Sequence, residues 1–234
     1  MVRHAGSLVA LAIGDALGAP LEGSQKPEAW LAEYRSGGRL FRKRGEFTDD
    51  TLQALAVAES LVACGAFSEN DLVQKLSESY IVRPEWFGPT STLFFELVQN
   101  GTVPHLAARI VHQRNHGSRT NGSVMRGFPL GIFFPAPDVY VVSLLCSRIT
   151  HWDPVAGHCS AFLNTMASDM VRGVSRSRAF RHARSLCTNP EVHTVLGSYT
   201  QYDPEPSLDS VLCAHAALRS FMEAKSLEHA ILSA

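Results

Sequence analysis

Along most of this chain apolar residues recur every three or four positions, and few stretches alternate apolar and polar with a period of two. That periodicity predicts amphipathic helices and not strands. It places helices over residues 6–17, 27–34, 48–63, 68–80, 90–99, 104–115, 122–131, 139–149, 154–171, 176–187, 207–224 and 226 to the last residue. Local start signals agree. Ser68 precedes Glu69 and Asp71, and Asp153 precedes Pro154, the order expected of a cap followed by a first turn. In the first helix Gly6, Ala10 and Gly14 are four apart, a small-residue face that predicts close approach of another helix and burial. Gly18 and Pro20 end that helix, and Glu22 emerges just beyond it. Short connections, no fixed-period repeat and no low-complexity linker predict a single all-α domain over residues 1–234, folded as an irregular multi-helix bundle.

At 234 residues and 45% hydrophobic content the chain is long enough to bury a substantial core. A formal charge of −1 gives no electrostatic case for a broad nucleic-acid-binding face. Cys64, Cys146, Cys159, Cys187 and Cys213 are an odd set at wide spacings without a Cys-x-x-Cys pair, which argues against a zinc ribbon and a disulfide framework. Reduced, mostly core thiols in a cytoplasmic protein are the expectation. Asp15 interrupts the apolar start and no spanning apolar segment follows, so neither secretion nor a membrane is expected. Nothing in the sequence marks the oligomeric state.

Candidate chemistry gathers at three helix junctions. Thr48, Asp49 and Asp50 stand at the start of the predicted 48–63 helix. Two readings are open there: caps for orphan backbone N–H groups, or an all-oxygen half-site for Mg²⁺, Mn²⁺ or Ca²⁺. Three oxygens do not complete a shell, so water, substrate or another segment would have to supply the rest. The second junction runs from Gly117-Ser118 to Asn121-Gly122-Ser123. Its glycines, hydroxyls and helix N-terminus can surround a phosphate, or they form an Asn-capped helix behind a Gly/Ser loop. Arg126, inside an otherwise apolar helix start, calls for a carboxylate or phosphate partner. At the third junction, Thr150-His151-Trp152-Asp153, His151 is either a ligand contact or a hydrogen-bonded structural residue. A Gly-x-Ser-x-Gly elbow, a P-loop and a dinucleotide-binding glycine pattern are absent, which turns the reading away from serine hydrolases, NTPases and dehydrogenases.

Taken in order, Gly14-Asp15-Ala16-Leu17-Gly18-Ala19-Pro20-Leu21-Glu22, Thr48-Asp49-Asp50-Thr51, Gly117-Ser118 with Asn121-Gly122-Ser123-Val124-Met125-Arg126, and Thr150-His151 resemble the ADP-ribosylglycohydrolase family. The resemblance runs from Gly6 to at least Gly173. It implies an orthogonal all-α fold, two divalent ions, usually Mg²⁺ or Mn²⁺, and a cleft that holds ADP-ribose. The implied reaction is hydrolysis of the N- or O-glycosidic bond of an ADP-ribosylated protein or small molecule. By the same resemblance Thr48, Asp49 and Asp50 are metal ligands, and Glu22, Asp49 and Asp50 are the catalytic acids. Gly117, Ser118 and Asn121 match diphosphate contacts, His151 matches a substrate contact, and Asp15 and Arg126 match supporting positions.

The family's late Asp-x-Asp-Thr does not occur in these 234 residues, although residues 207–218 and 227–232 resemble the helices that lead to it. Half of the implied ligand set is therefore missing. Asp203, Glu205 and Asp209 are late acids, but their Pro-rich, cap-like setting suits loops and caps better than ligation. Two expectations follow: a metal-dependent hydrolase whose sequence here is truncated, or a catalytically impaired relative that binds ADP-ribose or serves a structural role.

Overall fold

The computed structural model describes residues 2–22, 33, 35–36, 43–201 and 207–233. Its elements are α1 (Val2–Gly18), a 3₁₀ turn Ala19–Leu21, α2 (Asp49–Cys64), α3 (Glu69–Val82), a 3₁₀ turn Pro84–Trp86, α4 (Pro89–Gln99) and α5 (Pro104–Arg114). They continue as α6 (Gly122–Met125), α7 (Phe128–Phe133), α8 (Asp138–Arg148), α9 (Pro154–Val171), α10 (Arg176–Leu186), α11 (Pro190–Gly197), α12 (Ser210–Glu223) and α13 (Leu227–Ser233). Among the described residues there is no strand, only one isolated antiparallel bridge between Thr120 and Asp209. The all-α expectation is met. All but residue 33 of the predicted helix over residues 27–34, and most of the basic loop at 39–44, lie outside the described residues, as do Asp203 and Glu205.

α9 is the axis of the molecule. It packs against α6, α7, α8, α10 and α12, and the polar residues it buries, Ser160, Asn164, Thr165 and Ser168, are fully withdrawn from solvent. Asp153 caps it by accepting from the Val155 N–H, with Pro154 at its first position. Two apolar clusters lie to either side. Leu61, Leu72, Leu76, Phe94 and Phe95 anchor the one built on α2 to α5 and α8, and Phe162, Leu196 and Leu218 anchor the one built on α9 to α12. The candidate residues sit along the seam between these clusters, at the start of α2 and around α6.

Three differences from the sequence expectation have physical causes. The predicted helix at 122–131 is two short helices, α6 and α7, broken at Arg126–Gly127. Pro129 has no N–H to continue the ladder and its ring collides with the carbonyl four residues back. Gly127 and Gly131 press the broken pair onto α9, where a Cβ would come within 2.5 Å of Asn164 Nδ2 and 2.6 Å of the Asn164 carbonyl. Second, α11 was not anticipated, although Asn189-Pro190-Glu191 carries a cap, a first-turn proline and a first-turn acid. The Asn189 side chain does accept from the Val192 N–H. Third, the small-residue face of α1 is not closed over by the described residues: among them a Cβ at Gly6 or Gly14 would meet nothing within 4 Å. α1 packs against α2, α7 and α13 through other positions, of which Ala16 is the buried one. No helix of the described residues is long and apolar enough to cross a membrane. All five cysteines are free thiols, with Cys146, Cys159 and Cys187 buried and Cys64 exposed.

Candidate functional site

The start of α2 is held by two residues that lie outside the helix. Thr48 is extended and its hydroxyl accepts from the Asp50 N–H at 3.3 Å. Asp15, near the end of α1, accepts from the Thr48 N–H at 2.9 Å, the Thr51 N–H at 3.0 Å and the Thr51 hydroxyl at 2.6 Å. Thr48 and Asp15 thus do the capping. The Asp49 carboxylate, 8% exposed, instead accepts from Gln53 Nε2 one turn along, at 2.9 Å. Burial, and then the charges of Glu22 and Asp15, push the Asp49 carboxyl up from 3.8 to about 7. Glu22 follows the Ala19–Leu21 turn at the surface. The structure therefore brings Glu22 and Asp49 within electrostatic reach of each other from opposite ends of a long undescribed connection.

Crowded carboxylates of this kind are relieved by a cation. Thr48, Asp49 and Asp50 offer oxygen donors only, which suits a hard divalent ion and not zinc. Among the described residues no three His, Cys, Asp or Glu side chains converge as a ready-made metal cage. Asp209, the late acid that is described, caps α12 through the Val211 and Leu212 N–H groups and pairs with Arg119.

Behind Asp49 runs a buried chain of polar groups. Gln53 Oε1 accepts from Arg126 Nη1 at 3.1 Å, while Arg126 Nη2 donates to the Cys146 carbonyl at 3.0 Å and to the Thr150 hydroxyl at 2.9 Å. Thr150 Oγ1 lies 2.7 Å from His151 Nδ1, and His151 Nε2 lies 2.9 Å from Thr120 Oγ1. The Thr120 hydroxyl donates to Thr90 at 3.1 Å. Gln53, Arg126, Thr150 and His151 are all completely buried. Arg126 thus has neither of the direct partners expected from the sequence, since its acceptors are an amide, a carbonyl and a hydroxyl. The Gln53 amide relays it to Asp49.

His151 is hydrogen-bonded on both ring nitrogens inside the protein. Burial, and then the Arg126 charge, lower its pKa from 6.5 to about 3. Between those values the unfolded chain takes up a proton that the folded one refuses. The stability His151 contributes is therefore complete above pH 6.5 and is lost as pH falls toward 3, by about 1.4 kcal/mol per pH unit. Against His151→Gln, which cannot titrate, the wild type should lose about 2 kcal/mol between pH 6.5 and 5 in urea unfolding.

The 117–122 loop is tied down on both sides. Gly117 has φ +128°, a conformation that favours glycine, and its N–H donates to the His112 carbonyl. Ser118 is fully buried, with its hydroxyl bonded to His112 Nδ1 and accepting from the Asp153 N–H. Asn121 donates its backbone N–H to the Leu208 carbonyl and turns its amide toward the Cys213 sulfur, so it does not cap α6 with its side chain. Arg119 bridges Glu191 and Asp209 across the base of the loop. A Cβ on Gly122 would sit 2.9 Å from His151 Cε1 and 3.1 Å from Nε2. That ring cannot yield without breaking its bonds to Thr150 and Thr120. Gly122→Ala should cost about 1–3 kcal/mol in thermal or urea unfolding.

The ADP-ribosylglycohydrolase family model matches residues 2–234. The chain belongs to the ADP-ribosylglycohydrolase family. Its fold superposes on a solved structure of an ADP-ribosylglycohydrolase-related protein complex with TM-score 0.84 at 26% identity, covering 99% of this chain and 79% of that one. The ADP-ribosylarginine hydrolase Tri1 of Pseudomonas putida (strain GB-1) is 28% identical over 99% of this chain and 64% of its own length. The ADP-ribosyl dinitrogen reductase glycohydrolase of Rhodospirillum rubrum is 30% identical over 73% of this chain and 58% of its own. The chain spans about half to two thirds of the length of the curated relatives it matches, from 43% to 66%.

Within this ADP-ribosylglycohydrolase fold, Thr48, Asp49 and Asp50 follow one another at the start of α2, and Glu22 acts on Asp49 through its charge. Gly117, Ser118, Asn121 and His151 line or support the neighbouring loop. Sequence reasoning missed Gln53 and Arg119, and it offered Thr120 only as one of the loop hydroxyls that could face a phosphate. The first had a signal, an Asp–Gln pair four apart on one helix face. The partners of the other two lie in distant helices and left no local trace.

Proposed function

We propose that this protein hydrolyses the glycosidic bond of ADP-ribose attached to a protein side chain, with a divalent cation, Mg²⁺ or Mn²⁺, at the start of α2. The observation that carries this is the buried Asp49 carboxylate, crowded by Glu22 and Asp15, in a member of the ADP-ribosylglycohydrolase family. Thr48, Asp49 and Asp50 would hold the ion, which when bound supplies Lewis-acid chemistry toward ribose hydroxyls and a water. The protein's own part is positional and basic. Asp15 fixes the turn that carries the three donors. Glu22, exposed at the rim, takes the proton of the water whose oxygen attacks the anomeric carbon. The bond to the acceptor nitrogen or oxygen breaks with oxocarbenium character, and the acceptor leaves with the proton that Glu22 took from the water. Gly117 and Asn121 shape the loop that faces the diphosphate. Ser118 and His151, both buried and engaged, act by holding that loop.

A nitrogen-linked acceptor draws support from Tri1, an ADP-ribosylarginine hydrolase by name. Peptides ADP-ribosylated on arginine and on serine, incubated with the protein and Mn²⁺ or Mg²⁺, test the reading by chromatography of released ADP-ribose. Release that requires the cation is expected. No release from either linkage, with cation present, overturns it.

A further inference from the structure

The chain of buried bonds between Asp49 and Thr90 has a direction. Arg126 can only donate. It donates one way to Gln53, whose amide donates on to Asp49, and the other way to Thr150. Each hydroxyl has one proton to give. With Thr120 donating to Thr90, His151 Nε2–H must donate to Thr120, which leaves Nδ1 to accept from Thr150. Every link then has one donor and one acceptor, and the whole series starts from a single guanidinium. Among the described residues Arg126 Nε has no partner, so the group is placed by its Nη contacts alone. A fully buried cation without a direct counter-ion is costly, and burial lowers its pKa. A hydrophobic residue would serve packing as well, so packing does not account for an arginine here.

We propose that Arg126 is a positioning residue that ties the Asp49 carboxylate to the 117–122 loop, so that a divalent cation at the first and ADP-ribose at the second bind more tightly together than apart. The ligands named rest on the function proposed above, while the mechanical link does not. Gln53 belongs to the device because its amide accepts from Arg126 through Oε1 and donates to Asp49 through Nε2. Thr150 and His151 carry the same constraint to Thr120, one residue before Asn121 and the α6 N-terminus. Linkage makes the effect reciprocal: the factor by which ADP-ribose tightens the cation equals the factor by which the cation tightens ADP-ribose.

Two measurements on the full chain test this. The first needs no ligand. Gln53→Met and Thr150→Val remove groups whose shared hydrogen-bond partner among the described residues is Arg126, and both are near in volume to the residues they replace. In urea unfolding of the metal-free protein, the double variant should depart from the product of the single effects by about tenfold in the unfolding constant. Additive effects overturn the proposal. The second is titration of Mn²⁺ with and without ADP-ribose. The wild type should gain about tenfold in Mn²⁺ affinity when ADP-ribose is present, and Thr150→Val, whose side chain is three links from Asp49, should gain twofold or less. An unchanged gain in Thr150→Val overturns the proposal even if the unfolding effects are not additive. A wild type that binds neither ligand removes the proposed function and the coupling with it, and the unfolding cycle then reports separately whether Arg126 joins the two arms.

Discussion

Asp49→Asn is expected to abolish ADP-ribose release and, in the metal-free protein, to make the fold more stable. The two effects have one cause. The Asp49 carboxyl is buried and lies in the field of Glu22 and Asp15, so its charged form is disfavoured in the folded state. Between 3.8 and about 7 the folded protein holds a proton that the unfolded chain has already released. The stability tied to that proton is present below pH 3.8 and is lost as pH rises through 7. At pH 8 the ionised group therefore costs on the order of a few kcal/mol, and an asparagine, which keeps the acceptor for Gln53 Nε2, does not carry that cost. The variant's midpoint should exceed the wild type's by several degrees at pH 8, and the gap should narrow at pH 5. Adding Mn²⁺ should raise the wild-type midpoint and leave the variant's in place. Hydrolysis should fall by about a thousandfold. An Asp49→Asn protein no more stable than wild type at pH 8 would remove the electrostatic basis of the site.

Asp15→Ala is expected to be the most damaging single change near the site that leaves every proposed ligand in place. Its carboxylate accepts three hydrogen bonds that define the turn from Thr48 to Thr51. Hydrogen bonds to a charged acceptor contribute about 1.5–3 kcal/mol each, and losing three that share one group should cost about 3 kcal/mol in all. The larger consequence is geometric. Without Asp15 the Thr48 N–H and Thr51 hydroxyl lose their anchor, and the donors on Thr48, Asp49 and Asp50 are no longer held in one arrangement. Mn²⁺ affinity should drop by about tenfold or more, as for other residues that orient metal ligands. Asp15→Asn keeps one acceptor oxygen and should recover part of the stability in urea unfolding. Equal losses for both substitutions would mean that charge, and not the hydrogen-bonded turn, is what Asp15 supplies.

The helices of this protein were legible because their signals are local. Ser68 with Asp71, and Asp153 with Val155, are caps that the structure realises within a few residues. Pro129, which splits α6 from α7, and Asn189-Pro190, which opens α11, carried the same kind of information. The small-residue face of α1 misled, because spacing shows that a partner could approach and says nothing of whether one does. At the site the acids at the start of α2 stood out, yet taken alone they favour capping, and ligation comes only from the family resemblance. Asp15, which with Thr48 takes the capping bonds there, arrives from another helix. Arg126 was marked as needing a partner, and its true partners, Gln53, the Cys146 carbonyl and Thr150, come from α2, α8 and the turn after α8. Buried polar groups choose partners through tertiary packing, and that choice has no period to read.

The most direct test of the cation site is calorimetric titration of Mn²⁺ into the full chain, with and without ADP-ribose, for the wild type and for Asp49→Asn. Binding to the wild type that ADP-ribose strengthens, and that Asp49→Asn eliminates, is the predicted result. A wild type that takes up ADP-ribose but no cation, or an Asp49→Asn protein that binds Mn²⁺ as the wild type does, would contradict it.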